Sequence, residues 1–531
     1  MVTKSLAQEG AMKGEGKTNF VTTYEPGTDA IVELRNGRFI DVINGRYFPP
    51  DTKVIVQGNK IKAMPGLPGE PTDIRPHFII DLQGRAVFPG IFNTHCHASY
   101  TMTTVSPSMK DNRLSTKFRP QQIAKNLEEC LAHGITHIRD CKIDDLRIVR
   151  EWKERISRGE ANGPRIYQAI VVTQPKGYFS PPLTFSWRLF SLALGIPVIE
   201  YEKSESGIVV FPLDATTQQV RDAVKRAIEE RGADYIKIGE QREDLVYFKP
   251  NNTIMTTEQL EALVDETNRR GLKSTMHHMS VESFRRGVKA GVSSLAHLPI
   301  DAELTTEDIK AFIDARCIIE PTLSVAYDVV WPVKGHPSES HPEVLKIKEY
   351  RDRTIAELAD EFYIPELKNS VLESHQRLSR GIMKTLGFRD NTPMFRYYAP
   401  AGINGVRNFR MLHEHGVRMA CGNDGGIPPC TPAALKYEIG MFDLVLNSGE
   451  KVARFTGADA LHLCTISSAE TMGLEDMFGS IQRGKVADLA IVDGDPLTDL
   501  QLVGSRVAAL FFDGKLKINN CGLKVERAPA S

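Results

Sequence analysis

The sequence predicts an α/β fold: a parallel (β/α)8 barrel of the TIM type, joined to a small β-sandwich domain formed from both termini. Three observations predict it. Short apolar runs alternate with helical stretches through the middle of the chain, which is the pattern of a parallel sheet, and eight such repeats close a barrel. Short β runs precede this region at residues 30–34, 38–43, 53–56, 60–64 and 78–82, and two more follow it at 487–494 and 507–515. Two incomplete β pieces on either side of an α/β middle most economically complete one module together. The length, 531 residues, exceeds one minimal domain and suits a large barrel with an attachment.

Taken in order, residues 1–28 are polar, rich in Gly, Lys, Thr and Glu, and read as an N-terminal tail. Residues 29–88 supply the first part of the sandwich, with turns at Asn36-Gly37, Asn44-Gly45 and Gln83-Gly84. The barrel occupies 89–477, with strands at 91–97, 135–141, 165–173, 233–239, 273–279, 292–298, 317–324 and 418–424. Helices fall between them, for example at 216–231 and 256–270, where apolar residues recur every three to four positions. Two stretches are too long for plain connections. Residues 174–213 carry Phe179, Phe185, Trp187, Phe190 and Tyr201; residues 326–400 carry Tyr327, Trp331, a helix pair, Phe395, Tyr397 and Tyr398. Both follow strand ends, where barrel loops build sites, so a lid or substrate wall and a peripheral helical contact are both open readings. Residues 478–531 return to the sandwich.

Charged residues make up 25% of the chain and the formal net charge is -1, so no field is built to collect nucleic acid or an anionic membrane. No segment has the pattern of a signal peptide or membrane span. Eight cysteines without a CxxC pair argue against a disulfide framework or a cysteine-type zinc site, and fit a reducing, cytoplasmic setting.

The chemistry gathers around Phe88-Pro89-Gly90-Ile91-Phe92-Asn93-Thr94-His95-Cys96-His97. A strand's side-chain period of two puts His95 and His97 on one face and turns Cys96 away, as a small core residue. Two imidazoles so placed suit a divalent cation at a barrel mouth. Other strand ends supply more donors: His277 on the fifth strand, His297 on the sixth and Asp424 on the eighth. Lys237 lies within the fourth strand, where an ammonium facing the interior is costly. It reads either as a carbamate bridging two cations or as an outward lysine in a salt bridge.

With these residues in place, the chain resembles the amidohydrolase superfamily, in the branch of imidazolonepropionase-like proteins, metal-dependent Xaa-Pro and Xaa-Arg dipeptidases and ochratoxin amidase-like enzymes. The resemblance also rests on Gly134-Ile135-Thr136-His137-Ile138-Arg139-Asp140, Ala290-Gly291-Val292-Ser293-Ser294-Leu295-Ala296-His297, Pro321-Thr322-Leu323 and Gly479-Ser480-Ile481-Gln482-Arg483-Gly484-Lys485-Val486-Ala487-Asp488-Leu489. It implies that His95, His97 and Asp424 hold the more buried metal, that His277 and His297 hold the more exposed one, and that carboxylated Lys237 bridges them. It also implies a homo-oligomer. The chain departs from relatives at Met279, where many have His, and at Lys176-Gly177-Tyr178, where many have Gly-Gly-His.

The expected function is metal-dependent hydrolysis of an amide-type C–N bond through a metal-activated hydroxide, on an N-acyl amino acid, a dipeptide or an aryl amide. Asp424 would carry the proton to the leaving nitrogen, and Tyr178 or His297 would partner the carbonyl oxygen. Zinc is the default for the two cations, with Mn, Co or Fe as alternatives. A dipeptidase needs a cation beside the pocket for the free carboxylate, for which Arg139 and Arg242 are the candidates. Carbamates, phenylureas and cyclic amides are alternative substrates of the same site, and a non-catalytic metal-stabilised scaffold is the rival from another class.

Overall fold

The computed structural model describes residues 18–21, 27, 29–103, 109–180, 205–244, 248–325, 329–379, 392–448 and 454–529. Most of the expected N-terminal tail, and Phe185, Trp187, Phe190, Tyr201 and Tyr327 of the two long stretches, lie outside them.

Seven parallel strands follow one another around the central sheet in chain order: β1 (Ile91–Cys96), β2 (Ile135–Asp140), β3 (Arg165–Thr173), β4 (Tyr235–Gly239), β5 (Lys273–His277), β6 (Ser294–Ala296) and β7 (Ile318–Glu320). The eighth predicted strand is not a regular one. Residues 418–425 instead span the gap between β7 and β1 through parallel bridges at Ile319–Met419 and Cys96–Gly425. On one side the Ile319 amide donates to Arg418 O and the Ala420 amide to Ile319 O; on the other the Thr94 amide donates to Cys421 O. Gly422 permits the close approach to β1, since a Cβ there would lie 2.6 Å from that of His95. The result is a nearly closed parallel barrel.

Helices cover the outside, and their starts were legible. Thr217–Glu229 and Thr257–Arg269 each open with a capping box, Thr216 with Gln219 and Thr256 with Gln259, which satisfies amides the first turn leaves free. The first of them turns Val220, Ala223, Val224 and Ala227 inward. In the second long stretch, Pro342–Phe362 and Pro365–Ser379 form the expected helix pair, followed by Thr392–Tyr398. The first long stretch contains a short strand, Ile208–Val210, that pairs in parallel with the end of β3.

Two further sheets each mix strands from both ends of the chain. One runs Val525–Arg527, Phe78–Asp81, Ile31–Arg35, Val54–Gln57, Lys60–Ala63; the other runs Lys515–Asn519, Ala509–Phe512, Leu489–Val492, Ala86–Pro89, Arg38–Asp41, Arg46–Tyr47. Side chains of both, among them Val32, Ile80, Phe39, Ile491 and Phe511, meet in one buried cluster. No helix among the described residues is long and apolar enough to cross a membrane.

Candidate active site

The site begins where β1 ends. The Asp424 amide donates to His95 O at 2.8 Å and the His97 amide to Gly425 O at 2.6 Å, which stitches the 418–425 segment to the histidine strand. Asp424 Oδ1 consequently lies 2.9 Å from His97 Nε2 and 3.4 Å from His95 Nε2. One donor atom from each of the three falls within 4.8 Å of the others, all buried. Asp424 adopts φ 51°, a left-handed conformation that a non-glycine residue takes only when its surroundings impose it. Asn93 and Asn423 impose it here: Asn93 Nδ2 donates to Asn423 Oδ1 at 2.7 Å, and that oxygen also accepts from the Gly425 amide at 2.9 Å.

Lys237 points into the barrel, 1% exposed, with Nζ 3.4 Å from His95 Nε2. The outward, salt-bridged alternative is therefore not the observed one. Burial lowers its pKa from the usual lysine value and so favours the neutral amine, the form that can take up carbon dioxide.

His277 and His297 complete the ring of imidazoles. Their ring centroids are 4.6 Å apart, and that of His297 is 5.2 Å from His95. His297, at φ 74°, is tied through Nδ1 to Thr322 Oγ1 at 2.7 Å. His277 Nε2 contacts Gln241 Oε1 at 2.7 Å, so this second pair adjoins the tight His95–His97–Asp424 group without joining it. Tyr178 stacks on His277 at 4.1 Å and 15°, and burial keeps its hydroxyl protonated well beyond the usual range.

Electrostatics suit cation binding. Burial pushes His277 and His297 well below the ordinary histidine pKa, leaving the neutral imidazoles that a metal requires. Burial opposes ionisation of Asp424, but the hydrogen bond with His97 and the fields of His95, His97 and His297 prevail and hold it well below the usual carboxylate range. Burial likewise lowers the pKa of His97, whereas at His95 burial is outweighed by Cys141 and Glu320, which raise the pKa to about 9, so that ring must give up a proton to a cation. Imidazole nitrogens and an ionised oxygen in a dry place are the donor chemistry of a divalent centre.

One expectation is corrected. Arg139 is no receptor for a substrate carboxylate: it is fully buried beneath the His95–His97–Asp424 group, where Nε donates to Thr94 O at 2.7 Å and Nη2 to Glu320. Arg242 forms an exposed ion pair with Glu282 at 2.8 Å. Glu320 was not anticipated, although its signal was present, a carboxylate ending the apolar run of β7 before Pro321. Its Oε2 lies 3.2 Å from His95 Nδ1.

The family model described as Amidohydrolase family matches residues 86–517. Over 82 residues the chain is 40% identical to imidazolonepropionase of Acinetobacter baumannii, a match covering 15% of this chain and 19% of that protein. The chain thus spans about a fifth of that relative's length. Among solved structures, a Xaa-Pro dipeptidase with methionine bound in its active site superposes with a TM-score of 0.61 at 20% identity, covering 92% of this chain and 100% of that one. The ochratoxinase of A. niger superposes with a TM-score of 0.60 at 16% identity, covering 93% and 96%. These likenesses show a shared fold.

Proposed function

Since the chain belongs to the amidohydrolase family, we propose that it is a metal-dependent hydrolase that cleaves an amide-type carbon–nitrogen bond in a small molecule. The observation that carries this reading is the convergence of His95, His97 and Asp424, buried donors from two distant parts of the chain, beside an inward Lys237. In this reading His95, His97 and Asp424 would hold one cation and His277 and His297 a second, with Lys237, as a carbamate, serving both. Zinc is the default occupant for such ligands. Divalent cations in such a centre polarise a carbonyl and bring water toward ionisation at neutral pH.

The chain's own residues supply the rest. Asp424, held ionised, accepts a proton from the attacking water and delivers it to the nitrogen that leaves, because an amine departs poorly without protonation. Water adds to the carbonyl carbon, the C–N bond breaks, and an acid and an amine result. Tyr178, protonated and stacked on His277, would donate to the carbonyl oxygen, a role its protonated hydroxyl and its contact with His277 support. Beyond it, Tyr397 and Tyr398 meet at 4.9 Å and Phe248 packs on them at 5.3 and 5.9 Å. With Arg139 buried against Glu320, this aromatic surround favours an aryl amide over a dipeptide with a free carboxylate. The same reading divides the chain into a composite β-sandwich of 29–88 with 478–531 and a catalytic barrel of 89–477.

Asp424→Asn tests the proposal. On metal-loaded protein assayed with aryl amides, N-acyl amino acids and dipeptides, turnover should fall by ~10²–10⁴-fold while the protein remains folded at the assay temperature. A near-normal rate removes Asp424 from the reaction. Wild-type protein with bound metal and no turnover on the panel favours a scaffold.

A further inference from the structure

Below the candidate centre two fully buried charges face each other. Glu320 and Arg139 are both 0% exposed and joined by a hydrogen bond between Nη2 and Oε1. Arg139 is fixed twice more: its Nε donates to the carbonyl of Thr94, the residue preceding His95, and its guanidinium lies 5.3 Å from the Tyr235 ring centroid. The other carboxylate oxygen of Glu320 faces His95 Nδ1 at 3.2 Å.

A buried ion pair is weak evidence for stability, since apolar side chains of similar volume serve as well or better there. The pair therefore calls for another reason, and imidazole chemistry gives one. A neutral ring carries one N–H and one lone pair, and an ionised carboxylate only accepts. Carboxylates face both nitrogens of the ring, Glu320 at Nδ1 and Asp424 at Nε2; when a cation takes the place of the Nε2 proton, Glu320 keeps the other proton on Nδ1 and so assigns the lone pair to Nε2, the atom 3.4 Å from both Asp424 Oδ1 and Lys237 Nζ. His97 has no such support among the described residues, where its buried Nδ1 meets no hydrogen-bond partner.

We propose that Glu320, anchored by Arg139, is a positioning residue that fixes the tautomer and orientation of His95 and so aims Nε2 at the cation. The inference rests on the reading of His95 as a ligand. Outer carboxylates of this kind set ligand basicity as well as direction, and their loss typically weakens metal affinity by ~10–100-fold.

The experiment titrates zinc into metal-stripped full-length protein against a competing chelator, with thermal unfolding of the same apo samples and the absorption spectrum of the cobalt-loaded form. Glu320→Gln should weaken the tightest zinc site by ~10–100-fold and change the cobalt spectrum. The double variant Arg139→Met with Glu320→Met removes both buried charges; it should recover apo stability relative to Glu320→Gln yet still bind zinc weakly. Zinc affinity within twofold of wild type in Glu320→Gln, or affinity that returns together with stability in the double variant, makes the pair purely structural and overturns the proposal. His95→Ala locates the fault: if it retains full zinc affinity, the ligand assignment beneath the inference has failed; if it loses zinc while Glu320→Gln does not, the inference alone has failed.

Discussion

The mouth of the barrel and its floor both contain buried histidines, and their surroundings differ in kind. His95 and His137, on the adjacent strands β1 and β2, are each 1% exposed. At the floor, the His137 ring lies flat against Phe92 at 4.2 Å and 10° and meets Phe478 edge-on at 4.3 Å. Its Nδ1 is satisfied by Thr136 Oγ1 at 2.8 Å, and burial with the nearby Arg165 charge drives its pKa well below the ordinary value. At the mouth, His95 lies between Glu320 and Asp424, carboxylates brought in from other parts of the chain. A third buried histidine, His133, caps the helix Arg119–Ala132 outside the barrel and does have a carboxylate, Glu361 Oε1 at 2.9 Å from Nε2. Burial alone makes a packing residue, and carboxylates without other donors beside them, as Glu361 and, at 3.6 Å, Glu129 are for His133, make an ion pair. A metal site needs several donors aimed at the same point.

The widest separation between the regions is expected in cation content and rate. His97→Ala removes one of three converging donors, so it should lose about one equivalent of zinc per chain and at least ~10²-fold in turnover. The apo protein should lose less stability than the His137 variant, because the His97 ring stacks on Tyr100 and otherwise meets the polar group of Asp424. His137→Ala should do the reverse. Emptying a site walled by Phe92, Phe478 and Tyr167 should cost ~2–4 kcal/mol through the cavity left behind, with zinc content unchanged. Elemental analysis and denaturant unfolding of both variants check the pair. If the His137 variant releases zinc, floor and mouth are not separate in function.

The same contrast explains what the sequence could and could not tell. Periodicity located seven strands because their cores are apolar runs, and His95, His97, His277, His297 and Asp424 stood out because polar groups end those runs. The eighth stave was legible in position but not in form. Its geometry depends on Asn93 and Asn423 bonding across 330 residues of chain and on Gly422 pressing against His95, contacts that no local pattern encodes. Arg139 was misread for a related reason. A cation near a strand end looks available to substrate until its long-range partner is known, and Glu320 lies 181 residues away. The strand Ile208–Val210 was missed because three residues carry too little alternation to register.

The smallest effect, and the one that sharpens the distinction between an ion pair and a ligand site, concerns His133. Burial raises the pKa of Glu361, but its hydrogen bonds and charge interactions with His133 and Lys436 outweigh that and bring it to about 2. The folded value thus lies below the 4.5 of a free carboxylate, so the stabilisation is complete above that range and is lost as pH falls toward about 2. Glu361→Gln lacks this contribution at every pH. Its melting temperature should lie a few degrees below wild type at pH 7, and the gap should narrow as pH drops below about 4.5, where wild type begins to lose the same interaction. Zinc affinity at pH 7 should not change, because Glu361 answers to Lys436, Arg506 and His133 and to no donor at the mouth. A gap that widens in acid would reverse the sign of the linkage and show that Glu361 is not held ionised by these cations; a loss of zinc would mean that a carboxylate–histidine pair outside the barrel can act on the centre after all.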